Sequence, residues 1–331
     1  MKKRPRRTTK RPSISVVMTT LNSARFVAEA VESILGQTFR DFELVAVDGG
    51  SDDDTVSILQ KFKDRRIRVI VKKGLRRSAQ LNRAVEKSRA DIIAIMDSDD
   101  IALPNRLAVQ YEFLDAHRDI GLVGSWAILT DEHGEAIGRL RRPESHESIA
   151  RHIMAMNAPS FPTICWRKEI FRLARFNERL GAPHDVDWYL RLLPSVRFAN
   201  IPEPLMRLRQ TQRSLTRPFR RVQDLELIRS VEATVEKRLQ NTRRRDERAD
   251  AFRSAGIAHY YYGSPISAKK YLWESARLKP IDALTLRYLA PLVTVPSSLF
   301  SRLRESPALR NAAGFFRMLA VRHSMRSGKG S

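Results

Sequence analysis

The sequence predicts an α/β protein with a mostly parallel sheet flanked by helices and an α-helical extension at its C-terminal end. Three observations predict this class. Four short apolar runs alternate with segments of helical periodicity over residues 14–96, the alternation gives way to a less regular mixture after Leu103, and the pattern beyond about residue 220 is helical. Strands that alternate with helices at this spacing form right-handed βαβ units, which place the strands parallel in one sheet.

The four apolar runs are typical of strands buried on both faces, because they are short and rich in β-branched residues. A helix follows the first run, and Asn22 or Ser23 is positioned to cap it. Helices also follow the second and third runs, the latter near 76–88. The predicted strands are residues 14–19, 42–47, 67–71 and 91–96.

The chain after Leu103 continues with a helix that Pro104 opens and that extends to about His117. A strand over 120–129 and a turn at Gly134 follow. From residue 140 to 215 short helices and strands are mixed.

These patterns predict three parts of the chain. They are a basic disordered arm over 1–12, an α/β domain over 13–220 and a helical region over 221–331. Within the helical region, residues 252–280 resemble one tetratricopeptide-type hairpin, which we interpret as a helical cap or docking surface.

The charge balance indicates an anionic partner. The chain of 331 residues carries 60 Lys and Arg against 37 Asp and Glu, a formal net charge of +23. Such a surface suits phosphorylated substrates, an anionic membrane surface or nucleic acid. Segment 299–327 mixes Leu, Phe and Met with Arg, as at a membrane interface, although a solvated helix packed on the main domain is the alternative. We expect no nucleic-acid partner, because zinc-ligand spacing, helix-turn-helix and aromatic RNA-binding patterns are missing from the sequence.

The cysteine and hydropathy patterns favour a cytoplasmic protein. Cys165 is the single cysteine, which excludes an internal disulfide and is compatible with a reducing cytosol. The basic N-terminal segment has no apolar stretch behind it, so we do not expect a secretory signal. The longest apolar candidate, residues 288–300, contains two prolines and is shorter than the roughly 20 residues that span a bilayer.

Acidic side chains follow two of the predicted strands. Asp48 comes after the second strand, and the stretch "AIMDSDDIAL" (94–103) puts Asp97, Asp99 and Asp100 directly after the fourth. Parallel strands end at one edge of a sheet, so we expect these acids to face one crevice. Asp97 and Asp99 point the same way in an extended segment and could share a hard divalent ion, Mg²⁺ or Mn²⁺. A solvated acidic turn is the alternative.

Three patterns occur in a fixed order along the chain. The first is "ISVVMTTLN" (14–22) with "DFELVAVDGGSDDDTV" (41–56), the second is "AQLNRAVEKSRADIIAIMDSDDIALPNRL" (79–107), and the third is "HDVDWYLRL" (184–192). Together they resemble the motifs of family-2 glycosyltransferases, over about residues 13–215. The resemblance implies the GT-A fold, a Rossmann-like mixed, mostly parallel sheet flanked by helices, and an inverting mechanism.

The resemblance also implies a role for individual residues. Thr19, Leu21 and Asn22 would border the nucleoside, and Asp48 would accept a hydrogen bond from the base edge. Asp97 would lie near the ribose and, with Asp99, hold the metal, and Asp185 would be the general base. A cation would approach the base or the diphosphate, and it would be one of Lys72, Lys73, Arg76 and Arg77. Among these four, Arg76 is the prediction we carry forward.

The activity implied is transfer of a sugar from a nucleoside-diphosphate sugar, most often a UDP-sugar, to a hydroxyl of a glycan or lipid-linked acceptor. We expect a role in cell-surface polysaccharide or glycolipid synthesis, at the inner face of the cell membrane. The segment "QTQRSL" (210–215) lacks the tryptophan of the processive synthases' Q-x-x-R-W motif, which favours single-sugar transfer.

The sequence departs from the family's pattern at several positions. Leu21 stands where many relatives have Tyr, Gly49 replaces a frequent second aspartate, and His184 replaces the usual Glu before the base. The histidines that relatives commonly have near Phe161 and Arg209 are missing. These departures leave open an alternative in which a catalytically impaired GT-A scaffold serves as a protein-interaction module.

Overall fold

The computed structural model describes residues 11–156, 159–180, 184–210, 221–262 and 264–294. The predicted basic arm therefore lies almost wholly outside the described residues, and the segment 299–327 lies wholly outside them. The domain boundary that we place at 220 also falls beside such a gap.

The strands of the described residues form one mixed sheet in the order β3-β2-β1-β4-β8-β6-β9-β5, with β7 beside β6. The first four strands along the sequence pair in parallel, as predicted. Beyond them, β8 is antiparallel to both β4 and β6, and β6 is parallel to β9. The bounds are β1 Ile14–Thr20, β2 Phe42–Asp48, β3 Ile67–Val71, β4 Ile92–Asp97, β5 Ile101–Ala102, β6 Ile120–Thr130, β7 Ala136–Leu140, β8 Cys165–Arg167 and β9 Arg197–Arg209.

Helices cover both faces of the sheet, because its central strands bury side chains on both sides. In β1, Val16 and Met18 pack towards one layer and Val17 towards the other. The first layer includes α1, α2 and α4, and the second includes α3, α5, α6 and the C-terminal helices. The bounds are α1 Val27–Leu35, α2 Thr55–Lys61, α3 Arg77–Lys87, α4 Arg106–Ala116, α5 His146–Met156, α6 His184–Leu192, α7 Arg221–Asn241, α8 Arg245–Tyr262, α9 Pro265–Leu278 and α10 Ala283–Thr294.

The cap that we predicted for the first helix is wrong. The helix α1 begins at Val27, several residues after Asn22 and Ser23. Asn22 instead adopts a left-handed backbone conformation, with φ 52°, and its side chain accepts a hydrogen bond from the backbone N–H of Asp52 at 2.9 Å. This conformation is one that Asn tolerates better than most residues, and it turns the chain at the end of β1.

The C-terminal helices form a stack in which α7 contacts α8, α8 contacts α9, and α9 contacts α10. The helices α8 and α9 approach closely at Gly256, where a Cβ atom would lie 2.5 Å from Cγ of Leu272. This pair coincides with the hairpin pattern over 252–280. Within the described part of the chain, no helix has both the length and the apolar character to cross a bilayer.

Candidate active site at the carboxyl edge of the sheet

Three strand ends meet at one edge of the sheet. Thr20 of β1 pairs with Asp48 of β2, and Thr19 pairs with Asp97 of β4. Asp48 and Asp97 therefore end the two strands on either side of β1, at the same edge, as the sequence predicted. The loops beyond these ends also touch, because Ser23 Oγ lies 2.8 Å from Ser98 Oγ.

The turn after β4 concentrates negative charge. Oxygen atoms of Asp97, Asp99 and Asp100 all lie within 4.8 Å of one another. Burial, followed by the charge of Asp97, raises the pKa of Asp99 to about 6. Burial and the neighbouring carboxylates also raise the pKa of Asp100 well above its usual value. The raised pKa values indicate that cationic groups of the protein offset only part of the negative charge of this cluster, which we call the acidic turn.

Arg209, the last residue of β9, holds the acidic turn in place through contacts with two of its residues. Its backbone N–H donates to the Asp100 carboxylate at 2.8 Å, and its Nε–H donates to the Asp99 carbonyl at 3.0 Å. The same guanidinium donates to the Glu132 carbonyl at 2.7 Å and pairs with Glu29 at 2.5 Å. The guanidinium also lies over the ring of Phe26, and the Arg209 side chain is only 4% exposed.

Sequence reasoning missed this role of Arg209. It noted only that the position lacks the histidine of many relatives. The contacts join residues about 110 positions apart in the chain, and β9 has no local pattern that points to the acidic turn. The nearest signal in the sequence is an arginine at the end of an apolar strand, which is a weak one.

Arg77, at the start of α3, is the cation nearest the acids among the four we considered. Its guanidinium forms an ion pair with Asp97 and lies 5.9 Å from the ring centroid of Phe161. Burial alone would lower the pKa of Arg77, but the charges of Asp97, Asp99 and Asp185 outweigh burial and raise it. The other three cations, Lys72, Lys73 and Arg76, are exposed. The contact of Arg76 with the base or the diphosphate stays a prediction.

Asp185 lies in the first turn of α6 and is buried. It acts electrostatically on Arg77 and on Tyr189, so the three side chains share one region. His184, its neighbour, packs edge-on against the ring of Phe161, with ring centroids 5.0 Å apart. Phe161 thus lies near both His184 and Arg77, and the charges of Asp185 and of the acidic turn both act on Arg77.

Asp48 organises the loop after β2. It is fully buried, and its carboxylate accepts hydrogen bonds from the hydroxyl of Thr20, from the backbone N–H groups of Gly50 and Ser51, and from the Ser51 hydroxyl. Burial alone would raise its pKa, but these hydrogen bonds outweigh burial and lower it. The contact to a base edge stays a prediction, and it would require Asp48 to share one of these oxygens.

The other residues predicted to border the nucleoside lie at the carboxyl end of β1 and in the turn after it. Thr19 is buried at the end of β1, Asn22 shapes the turn after it, and the Leu21 side chain is 56% exposed. Steric crowding explains why glycine occupies position 49. A Cβ atom there would lie 2.4 Å from the side-chain nitrogen of Gln80 and 2.8 Å from the Leu75 carbonyl oxygen. An aspartate does not fit at position 49 unless both the Gln80 side chain and the Leu75 backbone move.

Comparison with known proteins agrees with this arrangement. Residues 15–179 match the sequence profile described as "Glycosyl transferase family 2". The chain is 34% identical over 209 residues to the O-antigen biosynthesis glycosyltransferase WbnJ of Escherichia coli, covering 59% of this chain and 79% of that protein. The chain belongs to glycosyl transferase family 2. It is a glycosyltransferase.

Two solved structures share the fold at low sequence identity. One is S. aureus TarS 1-349 in complex with UDP-GlcNAc, with a TM-score of 0.60, 17% identity and coverage of 96% of this chain and 92% of that one. The other is the mannosyltransferase PcManGT of Pyrobaculum calidifontis in complex with GDP-Man and Mn²⁺, with a TM-score of 0.56, 18% identity and coverage of 94% and 88%. These likenesses show the GT-A-like fold of the chain together with its C-terminal helices.

Proposed function

We propose that this protein transfers a single sugar, with inversion, from a nucleoside-diphosphate sugar to a hydroxyl of a glycan or lipid-linked acceptor. We further propose a role in cell-surface polysaccharide or glycolipid synthesis, with UDP as the nucleotide. One observation carries the proposal: the acidic turn, Arg77 and buried Asp185 are gathered at the carboxyl edge of the sheet. The name of the Escherichia coli relative supports the polysaccharide role, and TarS bound to UDP-GlcNAc supports the donor class.

The acidic turn fits a divalent cation. Its three carboxylates offer hard oxygen ligands within 4.8 Å of one another. Burial first, and the neighbouring carboxylates second, raise the pKa values of Asp99 and Asp100, and a cation would relieve the repulsion between the carboxylates. Asp99 and Asp97 would hold Mg²⁺ or Mn²⁺, while Asp100 is already committed to the backbone of Arg209. The ion, when bound, stabilises negative charge on the phosphates. The Mn²⁺ in the mannosyltransferase structure supports this choice of metal.

The chain's own residues supply the rest of the chemistry. Arg77 lies where it can exchange part of its contact with Asp97 for the diphosphate, which gains negative charge as it leaves. Asp185 takes the proton of the acceptor hydroxyl as that oxygen attacks the anomeric carbon. The bond from the anomeric carbon to the diphosphate breaks while the new glycosidic bond forms on the opposite face. A single displacement of this kind inverts the configuration.

The nucleoside end of the donor would lie along the loops after β1 and β2. Thr19, Leu21 and Asn22 would border the base and ribose, Asp48 would support the base edge, and Asp97 would reach the ribose. The exposed side chain of Leu21 offers an apolar contact to the base where a tyrosine would offer a ring. We therefore expect weaker discrimination between bases than a stacking residue gives.

The test uses purified protein, Mn²⁺ and a panel of UDP-, GDP- and dTDP-sugars, with release of the nucleoside diphosphate and transfer to soluble acceptors as readouts. Asp185→Asn should lower turnover by about a hundredfold or more and leave nucleotide affinity unchanged, because it removes the base alone. The matched control is Asp91→Asn, since Asp91 is an exposed aspartate directly before β4. Absence of binding and turnover with every donor, or full activity of Asp185→Asn, contradicts the proposal.

A further inference from the structure

Exposed apolar side chains are concentrated on the last two described helices. Five of the nine large apolar side chains that are exposed in the described residues lie on α9, on α10 and in the turn between them. They are exposed by 45% to 94% and are Ile266, Trp273, Ile281, Leu286 and Val293. The other four, Leu21, Val71, Ile137 and Leu173, belong to the region of the sheet, and single exposed apolar residues are normal on a protein surface. A concentration of this kind marks an interaction surface.

The outward face of α9 combines these apolar residues with cations. Ile266, Lys269, Lys270, Trp273 and Arg277 recur at intervals of three and four residues and are all exposed. A helix places residues at this spacing on one face. Ala268, Leu272 and Ser275 are buried on the opposite face, so the outward face is free of the fold's own core.

The helix α10, which packs against α9, also exposes apolar side chains. Leu286 and Val293 are exposed at an interval of seven residues, while Leu289 and Leu292 are buried. The turn before α10 holds Ile281, the most exposed large apolar side chain in the described residues.

Acidic residues balance only part of the cations on this surface, where Asp246 of α8 lies 3.8 Å from Lys279. Within 264–294 the acids are Glu274, which lies 3.4 Å from Arg277, and Asp282, which is buried against Arg253 at 3.0 Å. The cations in the same stretch are Lys269, Lys270, Arg277, Lys279 and Arg287.

We propose that this α9–α10 face (Ile266, Trp273, Ile281, Leu286 and Val293 with Lys269 and Lys270) docks on the surface of an anionic lipid bilayer. Tryptophan and aliphatic side chains enter the headgroup boundary favourably, and nearby lysines pair with anionic headgroups. The proposal goes beyond the proposed function, because it concerns where the enzyme works rather than what it transfers.

Charge disfavours two other occupants of this face. The chain's own segment 295–331 carries seven Lys and Arg and one Glu, so it would bring like charge against Lys269 and Lys270. A second copy of the chain would bring the same lysines against themselves. An anionic membrane is the partner that satisfies both the apolar and the cationic side chains.

The test measures co-sedimentation of the full chain with phosphatidylcholine vesicles that contain about a third phosphatidylglycerol, against pure phosphatidylcholine. Ile266→Ser with Trp273→Ser should weaken binding at least about tenfold. The matched control is Ile137→Ser, an exposed apolar residue on β7. Lys269→Ser with Lys270→Ser should weaken binding by about tenfold at low salt and by less at high salt.

A second readout identifies the face itself. Of the four tryptophans, Trp166 and Trp188 are fully buried and Trp126 is half-buried, so bromine-labelled lipids should quench Trp273 selectively. Three results would overturn the proposal. The first is that the protein does not bind the vesicles, and the second is that it binds them while the brominated lipids cause no quenching that depends on Trp273, as tested with Trp273→Phe. The third is a monomer–dimer equilibrium that the double variant Ile266→Ser with Trp273→Ser abolishes. Donor hydrolysis in solution should be unchanged in these variants, so failure of the membrane proposal and failure of the proposed function are distinguishable.

Discussion

Arg209 shows how one side chain can set the shape of an acidic turn without belonging to it. It donates to the Asp99 carbonyl, and its backbone N–H binds the Asp100 carboxylate, so the two acids are oriented by a residue on another strand. Its fixed positive charge also lowers the pKa of Asp99, although burial and Asp97 prevail. We therefore describe Arg209 as a positioning residue for the proposed metal ligands.

Replacement of Arg209 should weaken the metal site more than it weakens the fold. Lysine offers one charged group where arginine offers a planar fork, so Arg209→Lys cannot make all three side-chain contacts at once. We expect the Mn²⁺ concentration for half-maximal activity to rise about tenfold in Arg209→Lys and further in Arg209→Ala, as hydrogen bonds to charged groups are lost. Arg207→Lys, two residues earlier on β9, is the control. An unchanged Mn²⁺ dependence combined with a lower melting temperature would assign Arg209 a structural role only.

The helix α6 carries Asp185, and one buried carboxylate fixes that helix to its neighbours. Asp187 is fully buried and accepts two hydrogen bonds from Arg191, at 2.6 and 3.0 Å, as well as one from the hydroxyl of Ser230 on α7. Arg191 in turn donates to the Arg175 carbonyl at 2.6 Å. Asp187 thus joins α6, α7 and the segment before α6.

Asp187→Ala should lower the free energy of unfolding by about 3 kcal/mol, because it leaves Arg191 and Ser230 without their buried acceptor. The C-terminal helix α7 should loosen with α6, so the midpoint of urea unfolding is the measurement. Ser230→Ala removes one donor and should cost about 1 kcal/mol. An unfolding midpoint of Asp187→Ala within error of wild type contradicts this assignment.

At the scale of elements, the sequence predicts what is local. Buried strands such as 42–47 and the helix near 76–88 were predicted correctly, because their periodicity is contained in each segment. The strand β9 was not, since Pro202 and Pro204 interrupt its pattern and its pairing with β6 shifts register near Pro204. The site divides in the same way. The acids at strand ends follow from local sequence, whereas the ion pair of Arg77 with Asp97 and the contacts of Arg209 depend on packing between distant segments.

At the scale of the whole molecule, the charge is divided between surface and site. A net charge of +23 attracts anionic sugar nucleotides and anionic surfaces from a distance, while three carboxylates at the sheet edge repel them locally. A divalent cation at the acidic turn would remove that local repulsion. The same carboxylates should then make the stability of the whole protein depend on pH and on metal.

Burial and Asp97 raise the pKa of Asp99 from 3.8 to about 6. A carboxyl group with a raised native pKa stabilises the fold below pH 4, and that contribution is lost as the pH rises through 6. Relative to wild type, Asp99→Asn should therefore gain about 2 kcal/mol in free energy of unfolding between pH 4 and pH 7 in the presence of EDTA. Excess Mn²⁺ should reverse the difference at pH 7, because it binds wild type in its native state and the variant more weakly. Urea unfolding of wild type and Asp99→Asn measures this difference in free energy of unfolding, and Asp91→Asn is the control. If the difference is the same at pH 4 and at pH 7, folding does not raise the pKa of Asp99.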